Sequence, residues 1–222
     1  MIVTTKREFK DLLANIKDYN SFFLIGCSEC ASLCGTGGEP ELEELKEAIE
    51  KEGKTVTGIF RAKTGCQVLG TRVELKPFKD SIGKTEAIIV MSCGAGTQAA
   101  VEIFPDKPVY QSNDTIFLGN MTRYQMFDER CSLCGECILD ETGGICPVTA
   151  CPKGLLNGPC GGTNDGNCEV SQDIKCAWVR IYERLNRIGR LDDMKKTIEP
   201  KDWSRGQKPR AMSVRKKEEK KK

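Results

Sequence analysis

The sequence predicts an α/β fold, a doubly wound parallel sheet with helices on both faces, followed by an irregular cysteine-rich region and an amphipathic helix. Three observations predict it. Short, largely apolar runs recur at Ser21–Gly26, Thr55–Phe60 and Ala87–Met91, as strands buried on both faces do. Stretches with helical spacing of apolar residues separate them, which is the alternation a parallel sheet requires. Over residues 130–176 both periodicities vanish, and eight cysteines, eight glycines and three prolines crowd together.

The elements follow in order. Thr5 and Glu8 have the spacing of a capping box, and Phe9, Leu12, Leu13 and Ile16 then share one helical face. Ser21–Gly26 (SFFLIG) is a strand ending at Cys27. Pro40 suits a helix start, Leu42, Leu45 and Ile49 form its buried stripe, and Gly53 suits a left-handed cap at its end. Thr55–Phe60 and Ala87–Met91 are the next strands, the latter ending just before Cys93, and Gly94–Phe104 opens another helix. Val109–Gln111 and Ile116–Leu118 are weaker strands. The expected organisation is a flavodoxin-like α/β domain over residues 1–125, with one cluster site at its strand C-terminal edge. A cysteine-rich metal-binding domain with a terminal helix occupies 126–200, where Trp178, Ile181, Tyr182, Leu185 and Ile188 form the apolar stripe. A basic, disordered tail takes 201–222.

Thirteen cysteines in 222 residues require either disulfides or metal. The opening MIVTTKREFKDLL has neither an apolar signal core nor a small-residue cleavage site. The cysteines are odd in number and clustered at two- and three-residue spacings, so metal in a reducing compartment is the reading, with a cytoplasmic location expected. The chain contains no histidine, which excludes histidine-ligated zinc, Rieske centres, histidine-ligated haem and any imidazole base. Any metal is then bound mainly by thiolate, and thiolate-only sites mean iron–sulfur clusters or four-cysteine zinc. No apolar run approaches the roughly eighteen residues of a membrane span. The formal charge is +7 from Lys201 onward and −5 on residues 1–200, a mildly acidic body that speaks against nucleic acid as a partner.

Two constellations carry the chemistry. In the first, Cys27, Cys30 and Cys34 lie in CSECASLC, before Gly35-Thr36-Gly37-Gly38. Cys27 and Cys93 each follow the carboxyl end of a strand, the edge where open α/β sheets bind ligands. Loops from neighbouring strands would bring Cys27, Cys30, Cys34 and Cys93 around one [4Fe–4S] cube, with helix starts favouring the ionised thiols. Cys66, in KTGCQ, is the alternate fourth ligand in place of Cys93, or else a small hydrophobe. Gly94-Ala95-Gly96-Thr97-Gln98-Ala99 also fits a dinucleotide fingerprint, with Asp114 twenty residues on. It does not follow the first strand and a thiol precedes it, so close approach to a cluster is the better reading of those glycines.

In the second, Cys131, Cys134 and Cys137 make two consecutive C-x2-C steps, the spacing that wraps three thiolates around one cluster. Cys146-Pro147, Cys151-Pro152, Cys160, Cys168 and Cys176 follow. Eight cysteines make two four-thiolate sites, suited to two [4Fe–4S] clusters or to one cluster and one structural zinc. Two to three clusters in the whole chain are expected.

The stretch RCSLCGECILDETGGICPVTACPKGLLNGPCGGTNDGNCEVSQDIKCAWVRIYERL (Arg130–Leu185) resembles the C-terminal cysteine-rich region of anaerobic methylenetetrahydrofolate reductases. GCSECASLCGTGG and MSCGAG in the first half resemble that family's small iron–sulfur subunit. The resemblance implies a partner, a flavin-containing barrel subunit that binds the folate, and a ferredoxin-like donor. It implies an electron-transfer subunit of one-carbon metabolism with no catalytic residue of its own and no activity alone. The family's region is sometimes described as zinc-binding. The alternatives are reductive activation of a corrinoid methyl carrier, and a zinc-stabilised assembly scaffold without a redox role.

Overall fold

A computed structural model describes residues 1–214. Two compact units divide the chain, Met1–Arg130 and the segment from Cys131 onward. The first unit runs β1 (Ile2–Lys6), α1 (Phe9–Asn15), β2 (Ser21–Cys27), α2 (Cys30–Leu33), α3 (Glu39–Lys51), β3 (Thr55–Ala62), α4 (Val68–Glu74) and α5 (Lys79–Gly83). It continues with β4 (Ala87–Met91), α6 (Gly94–Ile103), β5 (Val109–Gln111), β6 (Asn113–Arg123) and β7 (Met126–Cys131).

The fold is α/β, built on a parallel sheet of order β3-β2-β4-β5. Burial of successive residues on opposite faces explains the apolar runs of its central strands β2 and β4. Phe22, Leu24 and Ile89 point to one side, where Leu12 and Ile16 meet Leu42, Leu45 and Ile49 of α3. Phe23, Ile25, Ile88 and Val90 point to the other, against Leu75, Phe78, Ile82, Ala100 and Ile103. Helix α3 starts as its sequence dictates, with Pro40 in the first turn and the Glu41 carboxylate accepting from Gly38 N at 2.8 Å. It stops before Gly53, whose φ of 74° is the left-handed conformation only glycine adopts freely.

The capping box expected at Thr5 and Glu8 does not form. Thr5 belongs to β1, which pairs antiparallel with β6 through Thr5↔Asp114, and α1 starts after Glu8 without a side-chain cap. A second sheet of order β1-β6-β7 results. It absorbs Ile116–Leu118, which lies inside β6 rather than in the parallel sheet.

The second unit holds α7 (Pro147–Ala150), the small antiparallel sheet β8 (Thr163–Asn164), β9 (Asn167–Cys168) and β10 (Ser171–Lys175), and α8 (Ala177–Arg187). Its apolar cluster is Trp178, Ile181 and Leu185 of α8, against Ile145, Cys151, Cys176 and Met194. Tyr182 and Ile188, expected on the same stripe, are exposed. The expected disordered tail is structured at its start, where Lys201 is buried and Trp203–Gly206 form a 3-10 turn. Residues 215–222 of that tail lie outside the described residues. No helix among the described residues is long and apolar enough to cross a membrane.

Candidate metal centres

The chain leaves β2 for β3 on one side and returns to β4 on the other. That reversal is the switch point of a doubly wound sheet, the place where open α/β sheets bind ligands. Cys27 closes β2 opposite Ala62 of β3. Cys93 caps the start of α6 just after β4. Cys30 opens the four-residue α2 and Cys34 ends it.

Glycine fits the Cys27–Gly38 loop into this crevice. Gly37 O accepts from Cys27 N at 3.0 Å. A Cβ on Gly37 would fall on the Met91 carbonyl oxygen and lie 3.0 Å from Ala31 Cβ, so only a residue without a side chain crosses the ends of β2 and β4 there. A buried polar network fixes the loop from the second sheet. The Thr36 and Thr4 hydroxyls share a 2.6 Å hydrogen bond, and Asn113 Nδ2 donates to Thr36 O at 2.9 Å.

Backbone amides are directed at the sulfurs. Gly65 N donates to Cys27 Sγ at 3.4 Å, and Ile2 N to Cys30 Sγ at 3.3 Å. Cys34 Sγ lies 3.9 Å from Ile2 O. Cys66 sits in the turn between β3 and α4. Burial first, then the thiols of Cys93, Cys27 and Cys30, push its thiol up from the ordinary value. Cys27 Sγ thus meets the turn that carries Cys66, and the Cys30 and Cys34 sulfurs both lie beside Ile2 of β1. The glycines of the nucleotide-like motif serve this packing. A Cβ on Gly96 would meet the Ser92 side chain and lie 3.6 Å from Gly65 C, and Gly94 N donates to Thr115 Oγ1 at 2.8 Å. Asp114 is occupied by an ion pair with Arg7 at 2.7 Å.

In the second unit Cys131, Cys134 and Cys137 lie on one loop that Leu133 (φ 57°) and Gly135 (φ 85°) turn. Leu133 N donates to Cys131 Sγ at 3.3 Å, and the same two-residue turn recurs where Gly162 N meets Cys160 Sγ at 3.4 Å. The Ser132 and Thr149 hydroxyls bond at 2.8 Å while Cys146 Sγ lies 3.7 Å from Thr149 Oγ1, which ties the Cys146-Pro147 turn to this loop. Cys151 and Cys176 pack instead on the Trp178 cluster. Cys176 caps α8, and its N–H bonds to Gly166 O in the turn between β8 and β9, which carries Cys168. Cys160 has the Lys153 ammonium 3.8 Å away.

Sequence reasoning missed the clamp on the Cys131–Cys137 loop. Lys201 Nζ donates to Glu136 O, Asp202 N donates to Glu136 Oε2 at 2.7 Å, and Arg210 Nη1 donates to Leu133 O at 3.1 Å. Burial would raise the Cys134 thiol, but the Glu136 backbone and the Lys201 ammonium outweigh it and hold its pKa below the usual thiol value. The one available signal was Trp203, an aromatic residue inside an otherwise charged stretch.

All thirteen cysteines are free thiols. Among the described residues, no three or more cysteine, aspartate, glutamate or histidine side chains close on one point tightly enough to hold an ion. The donor set itself fits thiolate-ligated metal. It is rich in sulfur, with amide N–H groups aimed at the sulfurs of Cys27, Cys30, Cys131 and Cys160, the supporting contacts that orient and tune such ligands.

Residues 110–204 match the family model described as methylene-tetrahydrofolate reductase C terminal. This relation covers less than half of the chain. No match to the chain is found among curated proteins or among solved structures.

Proposed function

We propose that this chain is an electron-transfer iron–sulfur subunit that passes electrons to a flavin-containing methylenetetrahydrofolate reductase subunit. The observation that carries the reading is the relation of residues 110–204 to the reductase C-terminal family, over a stretch that holds eight free cysteines and no histidine. When bound, [4Fe–4S] clusters supply one-electron storage at a potential set by their surroundings. The chain's own residues do the rest. Eight cysteines of the second unit hold two four-thiolate sites, one built on Cys131, Cys134, Cys137 and Cys146, the other on Cys151, Cys160, Cys168 and Cys176. One of these sites takes structural zinc in the alternative loading. The third site is drawn from the thiols at the β2–β4 switch point. Amide N–H groups and the Lys201 and Lys153 ammonium groups offset thiolate charge, which eases acceptance of an electron. A ferredoxin-like donor supplies the electrons, and reduction of the folate belongs to the partner's flavin.

Titration of the isolated chain with flavin and with folate tests this directly. Neither should bind, while the chain reduced with dithionite should reduce the flavin once the reductase subunit is added. Stoichiometric flavin binding by the isolated chain would contradict the subunit role and return Gly94–Ala99 to a nucleotide-binding reading.

A further inference from the structure

We propose that Lys201 is the counter-charge of the thiolate centre on the Cys131–Cys137 loop, and that residues 201–210 are a strap held down by that centre when it is loaded. The inference rests on the proposed metal loading of that loop and holds for a cluster or for zinc. Four thiolates outweigh the positive charge of a zinc ion or of an iron–sulfur core, so either loading leaves an anion.

The observation is a buried cation without an anion. Lys201 keeps only 7% of its surface exposed. Its Nζ donates to the backbone oxygen of Glu136, and the Trp203 ring centroid lies 6.0 Å away, at the outer limit of a cation–π contact. Both neighbours are uncharged. The carboxylates beside it are engaged elsewhere. Glu136 Oε2 accepts from Asp202 N at 2.7 Å, while Asp202 Oδ1 accepts from Ser204 N at 3.0 Å and its Oδ2 faces Arg205 Nε at 3.5 Å. Among the described residues no carboxylate forms an ion pair with Lys201. A buried charge left unpaired is costly, so such a group is found with a partner of opposite sign. The remaining source of negative charge is Cys134, whose Sγ lies 3.6 Å from the same Glu136 oxygen.

The rest of the strap is fitted to that loop. Gly135 has φ 85°, and a Cβ there would come 2.8 Å from Arg205 O. A Cβ on Gly206 would in turn stand 3.3 Å from Cys134 O. Two glycines thus let the two backbones touch beside Cys134. Arg210 Nη1 closes the far end, donating to Leu133 O at 3.1 Å and to Arg205 O at 3.0 Å. Apart from Lys201, the strap is tied to the loop by exposed hydrogen bonds, which hold a segment weakly. The Lys201 charge couples the strap to the state of the centre. Without its anion the buried ammonium favours release into water, and with it the strap stays down.

The test uses the full chain, purified without oxygen. Trypsin cuts after lysine and arginine, so cleavage after Lys201 and Arg205 reports whether the strap is down, with no substitution needed. Both bonds should resist in the loaded protein, and stripping the metal with a chelator should speed cleavage there about tenfold. Equal cleavage of loaded and stripped chain overturns the strap, whichever metal is held. Two variants separate charge from packing. Loaded Lys201→Met, close to lysine in shape but uncharged, should be cut after Arg205 about as fast as the stripped wild type, and Lys201→Arg should be slow again. Where the centre is a cluster, its midpoint potential should fall in Lys201→Met and return in Lys201→Arg, because losing a nearby positive charge disfavours the added electron. Wild-type protection with an unmoved potential in Lys201→Met would make Lys201 a packing residue and overturn the proposal. A colourless, zinc-loaded protein with the expected protection contradicts electron transfer and leaves the strap standing. An iron-loaded protein with an unprotected strap does the reverse.

Discussion

Cys134→Ser is expected to open the second unit as well as to empty one of its sites. The apolar cluster there rests on Trp178, Ile181 and Leu185, and burying such a side chain contributes about 1.5–3 kcal/mol. Residues 131–176 otherwise hold only a four-residue helix and three short strands. Metal binding by a four-thiolate structural site is worth far more, about 10–16 kcal/mol in small zinc domains, and in such segments it is folding free energy. Cys134 is also where Lys201, Glu136 and the 201–210 clamp converge. Removing its sulfur leaves the ammonium without its thiolate. Limited proteolysis should cut the variant at least roughly tenfold faster within 131–176, with the Met1–Arg130 unit intact. Unchanged resistance would mean that the unit orders itself without its ligands.

The second large effect belongs to Gly37→Ala. The new methyl would meet two partners that cannot step aside, the Met91 carbonyl oxygen and Ala31 Cβ. The loop must lift, which breaks the 3.0 Å bond from Cys27 N to Gly37 O and disturbs the Thr4–Thr36–Asn113 network. Overpacking of this kind costs about 1–3 kcal/mol. The first unit should unfold at lower urea, and the chain should lose one cube of iron while keeping the rest. A variant with wild-type iron and an unchanged midpoint would show that the loop does not place the thiols.

What the sequence disclosed depended on how local the signal was. β2 and β4 are apolar throughout because both of their faces are covered, and α3 carries its stripe, its Pro40 and its Gly53 within fifteen residues. β1 escaped because its partner β6 lies more than a hundred residues away, and the local Thr5–Glu8 spacing offered a competing helix start. The cysteine loops were legible as spacings, but their grouping was not. Which cysteine loops lie side by side is decided by Gly65 N reaching Cys27 and by Thr149 bridging Ser132 and Cys146, contacts that no spacing encodes. Lys201–Arg210 was hidden by composition, since a charged stretch reads as solvated until its backbone partners on the Cys131–Cys137 loop are known.

Electron transfer requires that these thiols hold redox-active iron. The most direct measurement is the visible spectrum of the full chain, purified without oxygen, together with its iron and acid-labile sulfide content. Broad absorption in the blue that bleaches with dithionite is expected, with iron and sulfide equivalent to two to three cubes, as twelve ligand cysteines in groups of four require. A colourless protein with fewer than about four irons per chain, its thiols holding zinc, would contradict electron transfer and leave only a structural role.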